Sequence, residues 1–299
     1  MPHLNAAQLA AFAAIVRQGS FEAAARHLHV TSSAISQRLK LLEDTLGQVL
    51  VVRATPCRAT AAGQTLLRHV CQVQLLEDEL FREIGMAGDC AAAPVRLPVA
   101  VNADSLHGWF LDAFNETCAR ENVTLDVRVE DQEHSATLLR HGEVMAAVSA
   151  SAAPTQGCSV TFLGNMRYFA VATNAFRDRY FSSGVDAHAL SQAPVLVYNG
   201  KDRMQQAFIE MLTPQGIEPP SHFIPSITGF IHIAEQGLGW GMIPEYLAEP
   251  SLQAGRLVQI VPGTYLDIAL YWHRWRIDSP ALDALSRAIL RAAQHALKP

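Results

Sequence analysis

The sequence predicts a chain of class α followed by α/β: a small head with a helix-turn-helix, one long helix, and a large α/β body. Three observations predict it. Ser20 to Gly47 reads as two capped helices joined by a tight turn. Apolar residues from Leu66 to Ile84 recur at three- and four-residue steps. From Val95 onward, strand-like runs alternate with helix-like ones.

The first helix spans about Asn5 to Gln18, is alanine-rich, and stops at Gly19. Ser20 caps a second helix that reaches about His27, and the chain breaks at His29 and Val30. Thr31 caps a third helix that runs to about Leu46 and stops at Gly47. Ala24, Leu28, Ile35, Leu39 and Leu42 are spaced to bury one face of this pair. An ordinary helical hairpin would share that face. The opposite face is more telling: it carries Ser32, Ser33, Ser36, Gln37 and Lys40. Short hydroxyls, an amide and cations suit base edges in a major groove. A β-like pair follows, Val49–Val52 and about Cys57–Ala59, with Pro56 at the turn. Arg53 and Arg58 in this pair are expected at phosphates or a minor groove. The candidate DNA-binding residues are thus Thr31, Ser32, Ser33, Ser36, Gln37, Arg38, Lys40, Arg53 and Arg58.

Thr60 caps the long helix, which runs to about Ile84. Leu66, Val70, Val73, Leu76, Leu80 and Ile84 form a coiled-coil-like seam, though the same stripe would serve a helix packed on its own domain. Gly85 to Pro94, small and flexible in composition, reads as a hinge. In the body, strands are expected at 95–101, 123–129, 144–149, 168–173, 195–198, 222–225, 240–243 and 268–272. Helices are expected at 106–120, 132–141, 204–212, 229–236 and 280–297. This alternation implies a mostly parallel sheet.

Ligands in open α/β sheets bind beyond the carboxyl ends of strands. After the first strand stand Asp104 and Ser105, where N–H groups of Ser105 and Leu106 would hold a carboxylate. Glu130 and Asp131 follow the second strand and Ser149 ends the third. Later strand ends give Tyr198 with Asp202, and Thr228. Asp104, Glu130, Asp131 and Asp202 together suit a cationic ligand. Glu130 and Asp131 are favoured for the cation, and Ser105 and Thr228 for a carboxylate. Asp104, Ser105 and Thr228 would equally serve as caps, and Glu130 and Asp131 as surface carboxylates at a strand end.

Residues 1–68 hold seven Lys/Arg and three Asp/Glu, against sixteen and twenty-five in the remainder. A basic head on an acidic body fits a DNA-binding domain joined to one with another task. Five scattered cysteines without a CxxC argue against a disulfide framework or zinc site, and reduced thiols fit a cytoplasmic chain. The N-terminus lacks a signal-peptide pattern, and no apolar run is long enough for a membrane span. HExxH, GxSxG and phosphate-loop motifs are absent. Gly237 to Gly241 reads as a turn feeding a strand. No catalytic residues, metal or cofactor are therefore expected.

The run from Ala24 to Gly47, with TSSAISQRLKLLEDTLG at its end, resembles the N-terminus of the LysR-type transcriptional regulators. Leu50, Arg53 and Thr60 to Gly63 resemble that family's wing and the start of its linker helix. LVVR at 50–53, LPVAVNADSLHGWF at 97–110, VEDQEH at 129–134, GEVMAAVS at 142–149, GLGWGMIPE at 237–245 and YWHRWR at 271–276 are similar to the ArgP/LysG subgroup, regulators of basic amino acid export. The resemblance implies a winged helix-turn-helix over 1–60, a dimerising linker helix over 61–84, a hinge over 85–94 and an effector domain over 95–299. That effector domain would be two Rossmann-like lobes of periplasmic-binding-protein type, crossed near 163–166 and 265–268. Lobe I would take about 95–164 and 268–299, and lobe II about 165–267. The implied partners are double-stranded promoter DNA, lysine or arginine as effector, a homodimer or homotetramer, and RNA polymerase. The rival reading is an architectural or replication-origin DNA-binding protein that ignores amino acids.

Overall fold

A computed structural model describes residues 4–84, 94–130 and 135–299. In the head, α1 (Ala6–Gln18) is capped by the Asn5 side chain and ends at Gly19 in left-handed backbone. α2 (Phe21–His27) and α3 (Ser32–Leu46) take Ser20 and Thr31 as caps, and Gly47 ends α3. These bounds lie within a residue of those expected. Phe12, Ile15, Ala24, Ile35, Leu39 and Leu42 form the head's core, with Leu28 half-buried against it.

β1 (Val51–Val52) and β2 (Arg58–Ala59) pair antiparallel and are shorter than predicted. The Glu43 carboxylate of α3 holds this pair in place, accepting from Leu50 N–H at 2.7 Å and Val51 N–H at 3.4 Å.

α4 (Ala61–Glu83) begins where Thr60 Oγ1 accepts from Gly63 N–H at 3.1 Å. A Cβ on Gly63 would lie 2.2 Å from the Leu50 carbonyl oxygen, so a glycine is required there. The predicted stripe divides along this helix. Leu66 and Val70 are buried within the protomer and Val73 is half-buried, whereas Leu76, Leu80 and Ile84 are exposed, as is Phe81. The single continuous seam is corrected accordingly: its first half packs internally and only its second half is open.

The first lobe of the body contains β3 (Val95–Val101), α5 (Ala103–Leu106), α6 (Phe110–Arg120), β4 (Val123–Val129), α7 (Ser135–Arg140) and β5 (Ala146–Ser149). β6 (Cys158–Ala172) crosses to the second lobe. There lie α8 (Asn174–Tyr180), α9 (Ala187–Gln192), β7 (Val195–Val197), α10 (Met204–Leu212), β8 (Ser221–Phe223), α11 (Ile227–Glu235), β9 (Gly241–Pro244), α12 (Glu245–Gln253) and β10 (Val258–Gln259). β11 (Tyr265–Trp275) crosses back, and α13 (Pro280–Ala296) closes the first lobe.

The mostly parallel expectation needs correction. β3 runs parallel to β4 and β5, and β7 to β8, but β11 is antiparallel to β5 and β6. β6 is antiparallel also to β9 and β10. Two long strands passing between lobes in opposite senses must pair antiparallel with each other; they link β3, β4, β5, β9 and β10 into one seven-stranded ladder, and β7–β8 form a separate two-stranded sheet. Their register breaks between Leu270 and Tyr271, opposite the stretch where Gly164 takes φ +133°.

The helix expected over 106–120 is two helices. α5 and α6 are separated at Gly108, where a Cβ would lie 2.2 Å from the Tyr246 ring. α4 is docked on the first lobe. Ser279 Oγ donates to Glu79 Oε1 at 2.6 Å, and Arg68 donates to the Gln156 carbonyl at 3.1 Å.

Candidate functional site

Two surfaces gather the predicted residues. On the head, Ser32, Ser33, Ser36, Gln37 and Lys40 are exposed along α3, and Arg38 is half-buried. Thr31 is committed to capping: its Oγ1 accepts from Ala34 N–H at 3.2 Å and lies 2.9 Å from Ser33 Oγ. Arg53 is exposed with its guanidinium 5.3 Å from the Phe21 ring centroid, a cation–π contact that limits its swing. Arg58 is exposed on β2. An open groove of about 360 Å³ runs between α3 and the β pair, lined by Phe21, Ser32, Ser33, Ser36, Arg53 and others. Hydroxyls on one wall and a guanidinium on the other can engage base edges and phosphate together.

The second surface is a cavity of about 180 Å³ between the lobes, lined by Ala103, Val129, Glu130, Tyr198, Asn199 and Lys201. Next to Ala103, Asp104 Oδ2 accepts from Tyr168 Oη at 2.6 Å, and Tyr246 Oη donates to the Asp104 carbonyl at 2.5 Å. Burial pushes the Asp104 carboxyl up to about 6; the Tyr168 bond pulls it down and the Asp202 charge pushes it up. Burial, then the Asp104 charge, raises both phenols above their usual range. Asp202 is therefore an electrostatic neighbour of Asp104 across the cleft. Its carboxylate also shapes the turn before α10, accepting from Tyr198 N–H at 2.9 Å and Met204 N–H at 3.0 Å.

Other predicted positions are placed differently. Leu106 N–H donates to the Asn102 carbonyl at 3.0 Å at the start of α5. Ser105 is fully buried. Ser149, also buried, accepts from Ser151 N–H at 3.2 Å. Thr228 is exposed at the start of α11, whose cap is Ser226, and it does not line the cavity. Asp131 lies outside the described residues. Sequence reasoning missed Lys201 on the cavity wall, Tyr168 and Tyr246 on Asp104, and Asn102, whose side-chain oxygen and nitrogen are both buried without a partner among the described residues.

Residues 6–64 match the family of bacterial regulatory helix-turn-helix proteins of the lysR type, and residues 96–294 match the LysR substrate binding domain. The chain belongs to the LysR family. Among its relatives is the HTH-type transcriptional regulator LysG of Mycobacterium tuberculosis, 46% identical over 292 residues, covering 98% of this chain and 94% of the relative. The crystal structure of ArgP from Mycobacterium tuberculosis superposes with a TM-score of 0.89 at 45% identity, covering 99% of both chains. Full-length LysG from Corynebacterium glutamicum with bound effector Arg superposes with a TM-score of 0.81 at 36% identity, covering 99% of this chain and 100% of that one. In this LysR-family chain, the groove belongs to the segment matched as helix-turn-helix and the cavity to the segment matched as substrate binding domain. Among the described residues, no His/Cys/Asp/Glu group is placed to hold a metal, and no helix is long and apolar enough to cross a membrane.

Proposed function

We propose that this chain is a transcriptional regulator that binds promoter DNA through α3 and the β1–β2 wing, senses lysine or arginine between the lobes, and controls a basic amino acid export gene. One observation carries the effector reading. Glu130 lines the interlobe cavity, Asp104 and Asp202 directly follow its lining residues Ala103 and Lys201, and a relative at 36% identity has arginine as bound effector. Acidic groups in a partly enclosed cleft favour a cation that brings its own hydrogen-bond donors. The chain acts in the cytoplasm, as a homodimer or homotetramer with RNA polymerase within reach, and performs no chemistry of its own.

The switch is a shift of population. Lobe I carries Asp104 and Glu130, and the second lobe carries Asp202, Tyr198 and Tyr246. A ligand held by both lobes favours the closed arrangement by its differential affinity for it. Because α4 is docked on lobe I, a change in lobe angle alters how paired heads meet two half-sites.

A thermal-shift panel of amino acids, paired with gel-shift titration on the promoter, tests this. Ligand at about 100 times its dissociation constant stabilises by about 2.7 kcal/mol. A shift with lysine or arginine, and a matching change in DNA binding, is expected. DNA binding that ignores every amino acid would leave the architectural role instead.

A further inference from the structure

The residues after α13 are Leu297, Lys298 and Pro299. Leu297 leaves the helix in extended backbone, φ −97° and ψ 152°, and is buried. The chain then lies along β6. Asn165 N–H donates to the Lys298 carbonyl at 2.7 Å, and Lys298 N–H donates to the Asn165 carbonyl at 2.9 Å, an antiparallel pair. Asn165 Nδ2 also donates to the Pro299 carbonyl at 2.9 Å. β6 is shaped to receive this segment. Gly164 takes φ +133°, and a Cβ there would lie 2.7 Å from Leu297 Cβ and 2.8 Å from the Lys298 carbonyl oxygen. Leu163 is an extra residue in the strand, since Gly164 pairs with Leu270 and Phe162 with Tyr271.

The place of this segment gives it meaning. Asn165 faces Ala269 of β11 on one side, so Lys298 takes the other edge of β6. β9 pairs with that same edge from Tyr168 to Val171, because β11 lies opposite Tyr168 and Phe169. Along this edge, β6 thus passes from a lobe I partner at 165 to a lobe II partner at 168. The Lys298 side chain spans the same step: Nζ lies 2.7 Å from Oε2 of Glu245, the first residue of α12. The next residue, Tyr246, donates to the Asp104 carbonyl at 2.5 Å and lays its ring over Gly108. The first turn of α12 in lobe II is therefore held by lobe I at two points, the α5 turn and the segment after α13. The Lys298 and Glu245 side chains are 43% and 31% exposed, so salt reaches and screens the pair.

We propose that residues 297–299 form a strap across the junction of the lobes, anchored by the Asn165–Lys298 backbone pair and clasped by the Lys298–Glu245 ion pair, and that this strap sets the resting lobe angle. A ligand that changes the angle works with or against the clasp, so the strap fixes how much differential affinity a response requires. This holds whichever molecule the lobes receive. Because the clasp is half-exposed, rising ionic strength loosens it.

Single-molecule energy transfer in the effector-free, full-length protein tests the strap. One dye replaces Arg120, exposed at the end of α6 in lobe I, and the other Gln215, exposed after α10 in lobe II. Labelled chains are mixed with excess unlabelled chains, so that each assembly reports one interlobe distance. Lys298→Met and Glu245→Gln are each expected to raise the share of molecules outside the main distance state about two- to fivefold, the range of a partly exposed ion pair. The double variant is expected to go no further than the stronger single one, because both remove the same contact. Lys298→Pro also removes the backbone donor, while Leu297 already has the extended backbone that precedes proline, and about a tenfold rise is expected. Raising salt from about 0.05 to 0.5 M should move wild type toward Lys298→Met and leave Lys298→Met where it was. A distance distribution that all three single variants leave unchanged, in protein that keeps its circular dichroism, overturns the strap. Additive effects of Lys298→Met and Glu245→Gln overturn the clasp, as does a wild type indifferent to salt. The salt series on wild type decides even where a variant fails to fold.

Discussion

Asp104 holds a carboxyl near 6 because burial disfavours its charge more than the Tyr168 bond restores it. The consequence for stability runs opposite to the usual aspartate. Between the ordinary value of 3.8 and about 6, the folded chain keeps a proton that the unfolded chain has lost. The contribution is thus present below pH 4 and disappears as pH rises through 6, a loss of order 2–3 kcal/mol. Asp104→Asn mimics the protonated form and retains an oxygen for Tyr168. It is expected to raise the melting temperature of effector-free protein at pH 7.5, by several degrees, while removing the pH dependence of arginine binding. Wild-type arginine affinity should climb as pH rises from 5 to 7, since cation binding needs the ionised carboxylate; a flat profile across that window would contradict the role given to Asp104. On the head, Ser36→Ala or Gln37→Ala is expected to cost about 1–3 kcal/mol on the operator and to relax base choice. Equal losses on operator and random DNA, measured by fluorescence anisotropy, would mean that neither side chain reads bases. Asp104, Glu130 and Asp202 were legible because each follows a strand end, where α/β sheets expose ligand-binding positions. Tyr168 and Tyr246 were not, since they are 64 and 142 residues from Asp104 and only the fold joins them to it. Lys201 carried no signal beyond its charge.

Elements that depend on local chemistry were readable to within a residue. Asn5, Ser20 and Thr31 cap their helices, and Gly19 and Gly47 stop them, each through contacts within a few residues of chain. Elements shaped from a distance were not. Burial alternates along β6 from Gly164 to Ala170 but not over the residues before it, and at Gly164 a Cβ would meet Leu297 at 2.7 Å. The break between α5 and α6 comes from the Tyr246 ring lying over Gly108. The docking of α4 belongs to the same class. Glu79 is 7% exposed and accepts from Ser279 Oγ at 2.6 Å and Ala281 N–H at 3.3 Å, so a linker-helix carboxylate sits at the N-terminus of α13. Removing it leaves the Ser279 hydroxyl and a helix-terminal N–H buried without that acceptor. Glu79→Ala is expected to destabilise the protein by about 1–3 kcal/mol in urea unfolding at neutral pH, with Glu79→Gln recovering part of the loss. A change below about 0.5 kcal/mol for the alanine variant would show that this contact is incidental.

The molecule as a whole separates charge by task. The head carries seven basic against three acidic residues through position 68, and the rest of the chain is net acidic. A surplus that small supports few phosphate contacts, so a single head is a weak ligand for DNA. Pairing of two chains through the exposed second half of the α4 stripe, Leu76, Leu80 and Ile84 with Phe81, is the remedy we propose. Two heads tethered in this way would bind as one, the second at high effective concentration. Salt dependence makes this measurable, because log affinity falls with log salt at about −0.9 per neutralised phosphate. Leu80→Asp places a charge in the open stripe and is expected to yield monomers by analytical ultracentrifugation, with the head's fold intact. Its slope on the operator should be about half that of wild type, and its affinity should approach that for random DNA. If the variant is monomeric yet keeps the full slope, one head already makes every phosphate contact, and the linker helix would serve the effector response rather than DNA affinity.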